Sequence, residues 1–166
     1  FKYTNPSAYG PKSLVINEVM AAPRQDQDLP FVEYVELMNP LKKELRLDGI
    51  VFSTTTSQVV LPSHWIAPGQ WVILCPGLQA VLLRPFGKVL PIEGWPVLSN
   101  SGTTLRLRSP TGQWIDQLSY HTATWGGTEF ANGGYSLELP DPLYRCEGTA
   151  LLEPSKDLRR GTPGSQ

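Results

Sequence analysis

The residues that could carry out chemistry are few and widely separated. The chain contains two histidines, His64 and His121, and neither stands in the HxxxH or HExxH spacing that brings two metal ligands onto one helix face. No serine lies in a GxSxG elbow, and the sequence has no glycine-rich phosphate loop. A nucleophile–base pair or a metal cluster cannot be assembled from these groups. We therefore expect no catalytic residue, no cofactor, no metal site and no enzymatic activity.

Carboxylates offer two weaker hypotheses. Glu18 and Glu36 stand within apolar runs, where a buried acid needs a backbone or arginine partner on a neighbouring strand. Asp26 and Asp28, with Glu33 nearby, could supply oxygen ligands to Ca²⁺ from a loop. That stretch lacks the residue order of an EF-hand, so a solvated polar loop is the alternative.

Basic residues form small groups rather than one large patch. We expect Arg106 and Arg108 on the outer face of one strand, a pattern found where sandwiches contact phosphates. We expect surface pairing with Glu138 or Asp116 across the sheet, and contact with phosphate is the alternative. The net charge of −1 provides no overall attraction to nucleic acid or to an anionic membrane. Nucleic-acid binding would therefore be weak and would be lost at physiological salt.

Five tryptophans raise the hypothesis of a carbohydrate-binding platform. Trp71 begins an apolar run and is expected in the core. Trp95 and Trp125 are expected in loops, where an exposed indole could bind a ligand; anchoring of the loop against the core is the alternative. Exposed, coplanar rings of Trp95, Trp114 or Trp125 on a concave face would favour carbohydrate binding.

The composition indicates many short strands joined by turns. The 166 residues include 15 glycines and 16 prolines, which break helix interiors. Charged residues make up 17% of the chain, compared with an average of about 25%. The composition argues against a helix bundle or a coiled coil, and no apolar run approaches the roughly 20 residues that cross a bilayer. The length suits one domain with its own core.

The periodicity predicts about eight strands. They cover residues 14–20, 32–38, 45–52, 59–61, 71–75, 104–108, 113–120 and 135–139. The clearest hairpin joins the sixth and seventh strands through the type I turn 109–112, and Pro68-Gly69 is typical of a type II turn. Only residues 78–84 could be helical, for two turns at most. The pattern predicts an all-β, antiparallel β-sandwich with at most one short helix.

Seven motifs then occur in an order that resembles a known family. They are VINEVMAAP (15–23), YVELMNP (34–40), LDGIVFS (47–53), LPSHWIAPGQWVIL (61–74), LSNSGTTLRLRSPTGQWIDQLSY (98–120), GGYSLELPDP (133–142) and GTPGSQ (161–166). Together they resemble the lamin tail domain, in the form carried by secreted and surface proteins of bacteria. Each motif is only a strand with a turn, and the resemblance rests on all seven in register.

The resemblance implies an immunoglobulin-like β-sandwich over residues 13–166, preceded by an arm or linker remnant at 1–12. It also implies a non-catalytic interaction module in an exported, cell-surface or periplasmic bacterial protein. Its partner would be a protein or a cell-envelope component. A carbohydrate-binding accessory domain and a weak nucleic-acid-binding module are the alternatives. Because the chain begins without Met, we expect it to be part of a longer protein.

The two cysteines are expected to form a disulfide if the domain is exported, because that compartment permits oxidation. Cys75 ends an apolar strand, and Cys146 lies in the irregular tail after the last predicted strand. A bridge between them would attach that tail to the sandwich. Two free thiols, with Cys75 as a small buried residue, are the alternative.

Overall fold

The computed structural model describes residues 9–141 and 152–165, and this part of the chain contains twelve strands. They are β1 (Val15–Met20), β2 (Tyr34–Met38), β3 (Leu45–Arg46), β4 (Val51–Ser53), β5 (Gln58–Val60), β6 (Trp65–Ile66), β7 (Trp71–Pro76), β8 (Val89–Ile92), β9 (Gly102–Arg108), β10 (Trp114–His121), β11 (Leu137–Glu138) and β12 (Glu153–Pro154). Within these residues, helical structure is limited to α1 (Ala80–Leu83), α2 (Thr128–Ala131) and short 3₁₀ turns beside them. The predicted β-sandwich is confirmed.

The described strands form two sheets and a ribbon. The large sheet has the order β12-β11-β1-β2-β7-β8, the small sheet has the order β10-β9-β4-β5, and β3 pairs with β6. All of these pairs are antiparallel except β7 with β8, which run parallel. Between those two strands the chain crosses over through α1, as a parallel connection requires. The expectation of a purely antiparallel sandwich therefore fails at this edge.

The main hydrophobic core lies between the two sheets. Leu37 and Leu74 of the large sheet belong to the same buried cluster as Phe52 and Leu107 of the small sheet. In β9 the buried leucines alternate with Arg106 and Arg108, because successive side chains of a strand point to opposite faces. The predicted hairpin of β9 and β10 is confirmed.

The predicted strand 45–52 is two strands. Its first part, β3, pairs with β6, and the chain then turns at Gly49 before it enters the small sheet as β4. Ile50 N donates a hydrogen bond to Leu47 O at 3.0 Å, and Gly49 has a φ of +78°. A side chain is strained in that conformation. The alternation of apolar residues continues across the turn, and so the sequence pattern concealed it.

Three strands, β6, β8 and β12, were missed, and another is shorter than predicted. β6 has only two residues, too few for a period, and β8 contains Pro91, which usually argues against a strand. Here the proline lies on an edge strand. The predicted strand 135–139 is reduced to Leu137–Glu138.

A second apolar cluster covers the other face of the large sheet. Helix α1 contributes Ala80 and Leu83, which pack with Tyr34, Ile73 and Cys75 of the sheet. The C-terminal residues 161–164 contact the same face through hydrogen bonds to β1 and β2. As a result β1 and β2 are buried along their whole length.

Candidate functional site

Arg106 and Arg108 lie side by side on the outer surface of the small sheet, which we call the arginine face. In the strand register Arg106 is opposite Ser53 and Gln117, and Arg108 is opposite Trp114. Arg106 Nε donates a hydrogen bond to Gln117 Oε1 at 3.2 Å. The Arg108 guanidinium carbon lies 4.1 Å from the centroid of the Trp114 ring, a cation–π contact. Both groups are therefore positioned by neutral partners.

Neither arginine forms an ion pair within residues 9–141 and 152–165. Asp116 is buried instead, and it accepts hydrogen bonds from Lys12 Nζ at 2.5 Å and from Ile16 N at 2.8 Å. Glu138 belongs to the large sheet. The expected pairing of the arginines with these two acids is wrong. A β-bulge beside Asp116 shifts the register, and such bulges re-aim side chains.

A shallow cleft of about 430 Å³ adjoins the two arginines. Its other wall is the hydroxyl-rich loop of residues 54–57. Thr54 Oγ1 accepts hydrogen bonds from the amides of Thr56 and Ser57 at 3.3 and 3.2 Å, which fixes the loop. Two cations beside hydroxyl donors in a concave surface can bind a carboxylate, sulfate or phosphate group.

Trp95 and Trp125 anchor loops and do not form an exposed platform. Trp125 is 1% exposed, and its Nε1 donates a hydrogen bond to Tyr135 O at 3.0 Å. Trp95 Nε1 donates to Glu33 Oε2 at 2.8 Å, and its ring packs on the main core. Because both indoles are engaged internally, the structure favours the anchoring interpretation of each and removes them from the ligand surface.

A cleft on another part of the surface combines two tryptophans that sequence reasoning did not pair. It measures about 460 Å³ and is lined by His64, Trp65, Gln70, Trp71 and Lys88, and we call it the tryptophan cleft. Trp65 is 54% exposed, and Trp71, expected in the core, is only half-buried. The turn at Pro68-Gly69 brings β6 and β7 together here. The tryptophan on each side of that turn is the feature of the sequence that could have indicated this cleft.

Glu18 and Glu36 are buried next to each other on the outer face of the large sheet, as cross-strand neighbours. Glu18 Oε1 accepts hydrogen bonds from Tyr34 Oη at 2.6 Å and from Thr162 N at 2.9 Å. Glu36 accepts from Asn17 Nδ2 at 2.9 Å and from Gly164 N at 2.5 Å. The expected backbone partners exist, but they come from the C-terminal segment rather than from a neighbouring strand.

Burial changes the protonation of both acids. It raises the pKa of Glu18 to about 7 and the pKa of Glu36 to about 8, because the charged form loses its hydration. The neighbouring carboxylate raises the pKa of Glu36 further, while hydrogen bonds to the two groups lower the pKa values in part. Both acids therefore keep their protons to a higher pH than exposed glutamates do, and backbone N–H groups of Thr162 and Gly164 attach the C-terminal segment to them.

The proposed calcium ligands are not arranged as a site. Asp26 pairs with Arg24 at 2.9 Å, and Glu33 accepts the hydrogen bond from Trp95. Among the described residues no group of three or more His, Cys, Asp or Glu side chains could hold a metal ion. The structure favours the solvated-loop interpretation. His121 is exposed at the start of a 3₁₀ turn, and His64 lines the tryptophan cleft.

Cys75 is completely buried in the second apolar cluster, and burial raises the pKa of its thiol to about 11. Cys146 lies outside the described residues. The disulfide between them stays a prediction.

Comparison with known proteins gives the family. The sequence model of the Lamin Tail Domain matches residues 7–122, well over half of the chain and including the arginine face. The chain belongs to the lamin tail domain family. Its members are non-enzymatic, immunoglobulin-like interaction domains. No curated protein sequence matches this lamin tail domain significantly. None of its described helices is long and apolar enough to cross a membrane.

Proposed function

We propose that this lamin tail domain is a non-catalytic interaction module that binds an acidic group of a partner protein or of a cell-envelope component through the arginine face. The observation that carries the proposal is the pair of adjacent guanidinium groups without a carboxylate partner on an exposed sheet surface. Two adjacent guanidinium groups whose charge is not paired can together bind an external carboxylate or phosphate group.

The contacts of the two arginines suit them to this role. Gln117 and Trp114 hold the guanidinium groups without consuming their charge. Guanidinium forks bind carboxylate and phosphate oxygens in pairs, which lysine cannot do. The protein carries a net charge of −1, so no overall attraction to anions assists the arginine face, and binding there is sensitive to salt. We expect micromolar to millimolar affinity rather than tight binding.

Replacing both arginines should weaken binding to acidic probes. For Arg106→Ala with Arg108→Ala we expect the affinity for a glutamate decapeptide, or for polyglycerol phosphate, to fall at least about tenfold, since two charge-assisted contacts are lost. Calorimetric titration at about 50 mM salt measures this. The matched control is Lys42→Ala with Lys43→Ala, which removes the same charge from exposed positions elsewhere.

Three outcomes decide between the hypotheses. Equal loss in both double variants would show that only net charge matters and would contradict a site at the arginine face. Binding of neither probe would contradict an acidic ligand. A tight complex with duplex DNA at about 150 mM salt, lost in the arginine variant, would make the domain a nucleic-acid binder instead.

We also propose export to the bacterial cell surface or periplasm, which the resemblance to secreted and surface proteins supports. An oxidised pair of Cys75 and Cys146 is the expected consequence. Protein that is alkylated in denaturant without reductant should show no alkylated cysteine by mass spectrometry. Both cysteines should be alkylated only after reductant is added to the denatured protein. Two thiols that are alkylated in denaturant without reductant would contradict the bridge and weaken the case for export.

A further inference from the structure

The tryptophan cleft has the size and lining of a small-molecule site and lies apart from the arginine face. Its volume of about 460 Å³ falls in the range of ligand pockets, which are typically about 300–1,000 Å³. Trp65 remains 54% exposed although it belongs to a paired strand. The Arg46 guanidinium carbon, 5.9 Å from its ring centroid, helps to hold the indole in place. A fixed, exposed aromatic ring in a concavity is typical of a binding surface.

The floor of the cleft is backbone, packed too closely for side chains. Gly87 and Gly164 both line it, and a Cβ atom at Gly87 would lie 3.1 Å from the Cα atom of Gly164. Gly164 in turn donates its N–H to the buried Glu36 at 2.5 Å. The cleft is therefore built where the C-terminal segment is attached to the large sheet. Its shape depends on that attachment and is present before any ligand arrives.

The polar groups of the cleft favour one negative charge and several hydroxyl groups. Lys88 is the cation, and the lining residues include no carboxylate side chain. Burial, with Lys88 nearby, lowers the pKa of His64, so its imidazole is neutral at physiological pH and can both donate and accept. Gln70 uses its carbonyl for Ala67 N at 3.3 Å and keeps its amide N–H groups for other partners.

We propose that the tryptophan cleft binds an acidic saccharide, one that contains a uronic acid. The apolar face of a pyranose ring stacks on Trp65, its carboxylate pairs with Lys88, and its hydroxyl groups bond to His64 and Gln70. A saccharide fits better than a peptide because an exposed indole, a cation and two hydrogen-bonding side chains lie together in one cleft. A proline-rich peptide in an extended groove is the alternative that the test must separate.

Titration with a defined uronic acid tests the proposal. Trigalacturonic acid should quench the tryptophan fluorescence of the 166-residue protein with a dissociation constant of about 1 mM or tighter. Its methyl ester has the same ring without the charge and should bind at least about tenfold more weakly, because the contact with Lys88 is lost. The chemical shifts of the indole N–H groups identify which tryptophans respond.

Variants locate the site. Trp65→Ala should lower the affinity for trigalacturonic acid at least about tenfold, and Lys88→Gln should remove the difference between the acid and its ester. The matched control is Phe31→Ala, which deletes an exposed aromatic ring that lines neither the tryptophan cleft nor the cleft beside the two arginines. Neither cleft residue belongs to a buried core cluster, and circular dichroism would verify that each variant is folded.

The proposal fails on any of four results. No response at about 10 mM trigalacturonic acid would exclude the ligand class, and equal binding of the acid and its ester would exclude the charge contact. Retained binding in Trp65→Ala, or tighter binding of a proline oligomer than of the saccharide, would exclude a saccharide in this cleft. Because the arginine variants address a different surface, these results leave the proposed function of the arginine face separately testable.

Discussion

Raising the pH from about 5 to about 8.5 should lower the free energy of unfolding by at least about 3 kcal/mol. The cause is the buried pair of Glu18 and Glu36, whose pKa values are about 7 and about 8 in the folded protein and about 4.5 when exposed. For an acid with a raised folded-state pKa, the folded protein binds more protons than the unfolded chain. The contribution of this pair to stability is therefore fully present below about pH 4.5 and is lost progressively until the pH passes about 8.

The surroundings of the pair explain why the protonated form fits. Glu36 accepts a hydrogen bond from the Asn17 amide, whose own Oδ1 is buried without a partner in the described chain. A half-turn of that amide lets Asn17 Oδ1 accept the proton of Glu36. Tyr34 and Thr162 bond to Glu18, and within residues 9–141 and 152–165 no arginine or lysine side chain donates a hydrogen bond to either acid. Ionisation therefore creates a buried charge without a direct ion-pair partner among these residues, which is costly.

Substitutions test whether the pH dependence of stability comes from this pair or from exposed carboxylates. Glu36→Gln keeps the shape and cannot ionise, so urea unfolding followed by fluorescence should show a much smaller loss of stability between about pH 5 and pH 8.5. Glu44→Gln, at an exposed position, should leave the pH profile as it is in the unmodified protein. A flat profile in the unmodified protein, or the same slope in both variants, would contradict the assignment.

The sequence predicted the elements whose residues alternate regularly. β9 and β10 were predicted within two residues at each end, since buried leucines alternate with exposed polar residues there. β6 and β8 were missed because pairing by tertiary contact, and not a local period, makes them strands. The opposite error occurred at Gly49. It was assigned to a strand because the alternation of apolar residues continues through the turn there.

The candidate sites were predictable only in part. The alternation in β9 correctly placed Arg106 and Arg108 on an outer face, but residue types alone could not show which acids would reach them. Asp116 is re-aimed by a bulge, which leaves no mark in the sequence. The cleft around Trp65 needed three segments of chain, one of them near the C-terminus, to meet. Contacts of such long sequence separation are fixed by the fold and not by any local pattern.

Gly164→Ala should detach the C-terminal segment and cost at least about 3 kcal/mol of stability. Gly164 has a φ of +79°, and the carbonyl oxygen of Phe86 occupies the place that a Cβ atom would need. A backbone atom cannot rotate away as a side chain can, so residues 162–165 must move. The hydrogen bonds from Thr162 N to Glu18 and from Gly164 N to Glu36 would then be lost.

Gly94→Ala is the matched control, because it separates the clash from the cost of the backbone conformation. Gly94 has a φ of +67°, similar to that of Gly164, but no atom lies within 4 Å of a Cβ placed there. Its substitution should cost only about 1–2 kcal/mol, the penalty of a left-handed residue.

Hydrogen exchange at the Thr162 amide should accelerate at least about a hundredfold in Gly164→Ala and remain unchanged in Gly94→Ala. Equal losses of stability in the two variants, with Thr162 still protected, would contradict the tight attachment. Protection that is lost only in Gly164→Ala would mean that the same contact which covers the buried acids also builds the floor of the tryptophan cleft.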